Sequence, residues 1–142
     1  MNFQNAHHFE GDSPKQSSKY MMIKQLILIG IGGGIGSIFR YLISRIPFSQ
    51  GHFPWATFII NIAGCLIIGL LIGIAVKHQS SAENIRLLLV AGFCGGFTTF
   101  STFSLENVYL YQSGNYLTLA LYISLSVVIG FAAVFLGLML SK

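Results

Sequence analysis

Charged residues are scarce in this chain: only 8% of its 142 residues are Asp, Glu, Lys or Arg, and only four of them are acidic. Soluble domains carry about 25% charged residues. A soluble domain of this length could not bury a sequence that is 54% hydrophobic, because small domains leave much of their surface exposed. The composition therefore excludes a soluble globular domain and predicts a polytopic membrane protein.

Several functional motifs are also missing. The two cysteines, Cys65 and Cys94, lie in apolar stretches outside any CxxC pair, so they indicate neither a disulfide framework nor a metal site. The glycine-rich segment 30–37 has neither the register of a dinucleotide-binding loop nor the Gly-Lys-Ser/Thr of a phosphate-binding loop. The apolar stretches hold no nucleophile–base pair, so nothing supports an enzyme. The net charge of +4 is spread over loops and ends, and nucleic-acid binding is not expected.

Four long apolar stretches follow a polar beginning. Residues 1–20 are polar and mixed, and we predict a disordered tail there. Residues 21–142 are predicted to form one four-helix transmembrane unit, with spans at about 22–46, 55–76, 86–111 and 116–140. Each stretch is long enough as a helix to cross roughly 30 Å of hydrocarbon. The predicted fold class is thus an all-α membrane protein whose two ends lie on the same side.

The third stretch contains an unusual cluster from Gly92 to Ser104, where glycine, threonine, serine and phenylalanine dominate. A continuous helix over 86–111 would be about 39 Å long, which exceeds the hydrocarbon layer of about 30 Å. Glycine pairs weaken a helix, and hydroxyls can replace its backbone partners. We therefore predict that the third helix is broken near its middle, close to Gly95 and Gly96. Carbonyls freed by such a break could hold a hard cation.

Two sets of side chains near this break are candidates for contact with an ion. Thr57 and Asn61 share one face of the second span, and the Asn61 amide either links helices or offers a donor to a dehydrated ion. Phe100 and Phe103 share a face of the third span. Their electropositive ring edges could contact a small anion, although ordinary core packing is the alternative.

Hydroxyl groups extend these polar faces. Ser101 and Ser104 form a stripe beside the two phenylalanines, while Tyr122, Ser126 and Gly130 follow one another at four-residue spacing on the fourth span. The pattern of Tyr122, Ser126 and Gly130 is equally typical of a helix–helix contact and of a polar path for an ion.

Arg40 lies near the end of the first apolar stretch. A basic side chain there is either an anchor that reaches the membrane surface or a positive charge at the mouth of an anion path. The basic residues from Lys24 onward number four on the side of the chain ends and two on the other side, Arg40 and Arg45. This weak bias favours ends in the cytoplasm and also permits insertion in both orientations.

Three motifs, in this order and spacing, resemble the signatures of the Fluc/CrcB fluoride channel family. They are Gly33-x-x-Gly36-Ser37-x-x-Arg40-Tyr41, Thr57-x-x-x-Asn61-x-x-Gly64 and Gly92-x-x-Gly95-Gly96-Phe97-Thr98-Thr99-Phe100-Ser101-Thr102-Phe103. The resemblance covers nearly everything from the first span to the fourth. It implies a fluoride-selective channel of the cell membrane that exports cytoplasmic fluoride passively. It also implies an antiparallel, dual-topology dimer in the lipid bilayer with two pores, made of identical or of two related chains.

The resemblance also implies roles for individual residues. Asn61, Phe100 and Phe103 would line the pore, with Phe100 of one subunit matched to Phe103 of the other. Tyr122 and Ser126 match the polar track on the fourth helix of the family. Beside these roles, the polar faces described above add Thr57, Ser101 and Ser104 as predicted pore hydroxyls. Gly130 departs from the pattern, because a serine is expected at this step of the polar track.

Two further roles concern positive charge. Arg40 would stand at the vestibule. The carbonyls of Gly95 and Thr98, from both subunits, would hold a structural Na⁺ ion at the centre of the dimer.

Two other functions remain possible from the sequence. The first is a small proton-coupled multidrug-type transporter, for which Glu106 is the one candidate acid within a span. The second is a non-transporting subunit that only packs against another membrane protein.

Overall fold

The computed structural model of the chain describes residues 14–48, 51–77 and 82–142. In order, it contains α1 (Pro14–Ser44), α2 (Trp55–Lys77), α3 (Ala82–Ile85), a π-helical segment (Arg86–Cys94), α4 (Gly95–Phe97), α5 (Phe100–Gln112) and α6 (Tyr116–Leu140). By length and hydropathy these elements make four membrane spans, of which the third runs from Ala82 to Gln112. The prediction of an all-helical fold with four spans is confirmed.

The second span has its predicted bounds to within one residue, whereas the third begins at Ala82, four residues before its predicted start. The fourth span, Tyr116–Leu140, has its predicted bounds. Helix α1 begins at Pro14, so the part of the predicted tail from 14 to 20 is helical. The rest of that tail, residues 1–13, lies outside the described residues.

The third span is broken at Thr98 and Thr99, whose φ/ψ angles of −78°/158° and −148°/109° are extended. Gly95 has helical angles of −62° and −37°, so the prediction of a break close to Gly95 and Gly96 is wrong by about one helical turn. Threonine hydroxyls form hydrogen bonds on both sides of the break. The Thr99 Oγ1 accepts from the Thr102 N–H (3.2 Å) and so replaces a helical acceptor that the break removes. The Thr98 hydroxyl donates to the Cys94 carbonyl (2.9 Å), which also keeps its helical bond from the Thr98 N–H (3.0 Å).

The glycines instead allow two backbones to approach. A side chain on Gly36 would collide with the backbone of Phe93, and one on Gly96 would collide with the backbone of Gly33. Helix α1 therefore lies directly against the π-helical segment and α4. Gly32 and Gly36 are four residues apart, the spacing at which small residues allow close helix contact in a membrane.

Helices α2 and α6 form the second closely packed pair. A side chain on Gly69 would collide with the backbone of Val134, and one on Gly137 with the backbone of Leu66. At one end of this pair, the Phe53 ring packs against the ring of Tyr122 with centroids 5.3 Å apart, and Tyr122 is fully buried. The two helix pairs meet at the break in the third span, which positions the polar side chains described next.

Candidate functional site

The break is held open by one side chain from the neighbouring helix. In a continuous helix the Thr99 N–H would bond to the Gly95 carbonyl, but here it donates to Asn61 Oδ1 (2.9 Å). Asn61 Nδ2 in turn donates to the Thr99 carbonyl (3.3 Å). The amide thus links two helices, one of the two roles that the sequence left open. An amide has two N–H donors, and among the described residues only one of them has a partner.

A groove of about 290 Å³ runs past this amide. It brings together four of the predicted pore residues, which are Asn61, Phe100, Phe103 and Ser126. The two phenyl rings have centroids 5.9 Å apart, and the Phe100 side chain is 80% exposed. The Ser126 hydroxyl oxygen is buried and has no hydrogen-bond partner within the described parts of the chain.

A carboxylate lies behind these rings. Phe103 packs on Tyr122 with ring centroids 4.9 Å apart, and the Tyr122 hydroxyl donates to Glu106 Oε2 (2.7 Å). Thr57 Oγ1 donates to the other carboxylate oxygen of Glu106 (2.7 Å). Two predicted pore hydroxyls therefore donate to one acid, Glu106, which from the sequence is a candidate only for the rival proton-coupled transporter. The signal was available, because an acidic residue inside a membrane span is expensive and rare without a function.

A second cavity, of about 230 Å³, lies on the other side of the break. Its lining includes Arg40, Thr57 and Thr99. Arg40 Nε donates to the Gly96 carbonyl (3.0 Å), near the carboxyl end of α4, where a positive charge complements the helix dipole. Arg40 is therefore not a free anchor at the membrane surface but a part of the wall of a polar cavity.

Three predicted hydroxyls line neither cavity: that of Tyr122, which donates to Glu106, and those of Ser101 and Ser104. Ser104 Oγ donates to the Phe100 carbonyl of its own helix (2.9 Å), and Ser101 Oγ lies 3.3 Å from Thr99 Oγ1. Gly130 is buried on α6, and a Cβ there would lie 3.6 Å from Cys65 Sγ, which is an ordinary contact. The pore roles of Ser101 and Ser104 remain predictions.

The carbonyls of Gly95 and Thr98 suit a hard cation such as Na⁺. Their helical donors would be the N–H groups of Thr99 and Thr102. These two groups donate instead to Asn61 Oδ1 and Thr99 Oγ1, so both carbonyls lose their helical partners at the break. Carbonyl oxygen is the ligand type that hard cations prefer, so the residues fit the predicted ion.

Four apolar helices, a broken third span and polar cavities on both sides of the break define a multi-pass helical membrane protein with polar groups gathered inside it. Residues 27–138 match the family described as "CrcB-like protein, Camphor Resistance (CrcB)". The chain belongs to this family, and the resemblance seen in its three motifs is confirmed.

Relatives resemble the chain over almost their whole length. A protein of Azobacteroides pseudotrichonymphae, named "Fluoride-specific ion channel FluC", is 50% identical over 125 residues, which make up 85% of this chain and 98% of the relative. Proteins with the same name from Flavobacterium psychrophilum and Phocaeicola vulgatus are each 46% identical over 122 residues. These 122 residues are 84% of this chain and 98% and 100% of the two relatives.

Proposed function

We propose that the chain is a subunit of a fluoride-selective ion channel, and not an enzyme, through which cytoplasmic fluoride leaves the cell passively. The observation that carries this proposal is the groove at the break, where an amide, a hydroxyl and two phenyl rings meet without a fixed positive charge among its lining residues. The name shared by the relatives supports the same ion.

Fluoride is small and strongly hydrated, so a pore has to replace its water with donors. In the groove, the unpartnered N–H of Asn61 and the unpartnered hydroxyl of Ser126 are available for this purpose. The edges of the Phe100 and Phe103 rings carry partial positive charge and add weaker contacts. Neutral donors of this kind bind an anion strongly enough to dehydrate it and weakly enough to release it.

The Tyr122 and Thr57 hydroxyls serve a different step. Both hydroxyls donate to Glu106. As fluoride passes, each would have to break its hydrogen bond to the carboxylate and donate to the ion instead. Thr57 also lines the second cavity, where Arg40 supplies the only positive charge in the lining. Fluoride would therefore enter or leave through the cavity beside Arg40, and the Glu106 carboxylate would prevent it from binding too tightly there.

The channel would be completed by a second subunit, either a copy of this chain or a related one. Phe100 is 80% exposed although it borders the groove, so the groove is open on the side where a partner would lie. An antiparallel partner would place its Phe103 against this ring and create two equivalent pores. The weak charge bias of the loops is compatible with insertion in both orientations.

Na⁺ would be held by the carbonyls of Gly95 and Thr98 from both subunits. When bound, it would supply a positive charge that neutralises the carbonyl dipoles at the two helix breaks and ties the subunits together.

The proton-coupled multidrug alternative is not favoured. It requires an acid free to exchange a proton with a cation, whereas the two carboxylate oxygens of Glu106 accept hydrogen bonds from Thr57 and Tyr122. The relatives named above also point to fluoride.

The function can be tested in bacteria that lack their own fluoride exporter. Cells that express this chain should grow in acidic medium at a fluoride concentration that stops cells with an empty vector, because acid drives fluoride inward as HF. The Asn61→Asp variant, expressed at the same level, should not restore growth. Growth restored on toxic organic cations but not on fluoride would contradict the proposal.

A further inference from the structure

The groove contains one chemically distinctive side chain that the proposed pore does not yet use. Cys65 follows Asn61 by four residues, so both side chains lie on the same face of α2, one turn apart. Cys65 is a free cysteine, is partly exposed and lines the groove together with Asn61, Phe103 and Ser126.

The helix opposite Cys65 offers no polar group at this depth. Gly130 follows Ser126 by one turn of α6 and is buried, and a Cβ at Gly130 would lie 3.6 Å from Cys65 Sγ. The thiol therefore occupies the space beside the position where α6 lacks a hydroxyl. One turn away, the buried Ser126 oxygen is without a partner among the described residues, which marks this end of the groove as a place where a ligand can accept a hydrogen bond.

We propose that the Cys65 thiol lines the fluoride pathway and, with the Ser126 hydroxyl, forms the contact for the anion that follows Asn61. The thiol S–H is a weak donor, and it takes the place of the side-chain donor that Gly130 cannot provide. This inference rests on the proposed channel function and adds a residue to its pathway.

The inference makes Cys65 a modification site in the conducting path. Methyl methanethiosulfonate is small, uncharged and able to enter membranes. Its sulfenyl sulfur forms an S–S bond with Cys65 Sγ, while methanesulfinate leaves and the thiol proton is released. The methylthio group that is added would fill the groove beside Gly130 and obstruct a narrow anion path.

The chain provides its own control. Cys94, in the π-helical segment, is the second cysteine, but it is 0% exposed and does not line the groove. A reagent that acts through the pathway should therefore distinguish two thiols of the same protein.

The test compares fluoride efflux from vesicles that contain wild type, Cys65→Ser or Cys94→Ala, each before and after treatment with methyl methanethiosulfonate. We expect efflux to fall by about tenfold or more in wild type and Cys94→Ala, and to be unchanged by the reagent in Cys65→Ser. Equal inhibition of Cys65→Ser would overturn the inference. So would full efflux from wild type in which mass spectrometry finds Cys65 modified.

Peptide mass mapping of treated wild type needs no variant and separates the two proposals. Modified Cys65 beside unmodified Cys94 is expected, and an unreactive Cys65 in the folded protein would contradict a thiol open to the pathway. If untreated wild type releases no fluoride, the channel function itself fails, whatever the mapping shows.

A second comparison tests whether the thiol acts as a donor. Cys65→Ser keeps an X–H donor at the same position, whereas Cys65→Ala removes it. We expect untreated Cys65→Ala to conduct several-fold more slowly than untreated Cys65→Ser. Equal rates would mean that the thiol lines the groove without donating a hydrogen bond to the anion, which would overturn the donor role.

Discussion

Replacing Asn61 by aspartate changes one atom in the amide that holds the break. The Thr99 N–H could still donate to one carboxylate oxygen, but the atom that replaces Nδ2 would face the Thr99 carbonyl oxygen from about the present distance of 3.3 Å. An attractive hydrogen bond would become a repulsive contact between oxygens. The groove would also receive a full negative charge at the place where we expect dehydrated fluoride.

The size of the effect follows from Coulomb's law for a fluoride ion bound beside the new carboxylate. Two unit charges about 4 Å apart repel by about 4 kcal/mol at an effective dielectric constant of 20. Since about 1.4 kcal/mol corresponds to a factor of ten in rate, the variant should conduct about a thousandfold more slowly than wild type. The lost hydrogen bond would add about 1 kcal/mol of destabilisation, and the repulsion between the two oxygens would increase it.

The assay is fluoride-electrode efflux from vesicles, with gel filtration of each variant to verify that it is folded and assembled. Asn115→Asp is a matched control, because Asn115 lies at the start of α6, outside the groove, and aspartate is equally suited to a helix N-cap. We expect Asn115→Asp to conduct like wild type. If folded Asn61→Asp conducts within tenfold of wild type, the assignment of Asn61 to the pathway is refuted.

Four further results are expected. Phe100→Ile should abolish efflux while assembly persists, because the ring edge is lost. Phe131→Ile, on an exposed face of α6, should leave efflux unchanged. Gly36→Ala should lower the melting temperature in detergent, because overpacking costs about 1–3 kcal/mol. Gly34→Ala should leave it unchanged, because a Cβ at Gly34 has nothing within 4 Å. Equal melting temperatures of the two variants would contradict the close packing. Gly130→Ser should fold and conduct at least as fast as wild type, since its Cβ has room, and misfolding would count against this geometry. Replacing Na⁺ by N-methyl-D-glucamine should promote subunit dissociation on gel filtration, and unchanged assembly would argue against a structural Na⁺.

The membrane class, the four spans and the family could be predicted because they depend on local patterns. Run length and hydropathy determine how many helices can cross a bilayer, and both are properties of the chain alone. The i, i+3 and i, i+4 spacings likewise placed Phe100 beside Phe103 and Asn61 on the same helix face as Thr57.

The position of the break could not be obtained in this way. Glycine pairs weaken a helix locally, so the sequence favoured Gly95 and Gly96. The actual break lies at Thr98 and Thr99, because the Thr99 N–H donates a hydrogen bond to Asn61 Oδ1 of another helix. A glycine at a close helix contact and a glycine at a break look alike until the partner helix is known.

The partners of Glu106 were hidden for the same reason. The hydroxyls that donate to it come from Thr57 on α2 and Tyr122 on α6, which are 49 and 16 residues away in the chain. Only tertiary packing shows that two predicted pore hydroxyls and an acid form one cluster.

The central claim is that this chain conducts fluoride through the groove at its broken third span. The most direct measurement is fluoride-electrode efflux from vesicles that contain the purified assembly of this chain with its second subunit, with valinomycin carrying K⁺ as the counter-ion. The account predicts rapid release of fluoride and retention of chloride in parallel vesicles. Fluoride release no faster than from protein-free vesicles, or release of chloride at the same rate, would contradict it.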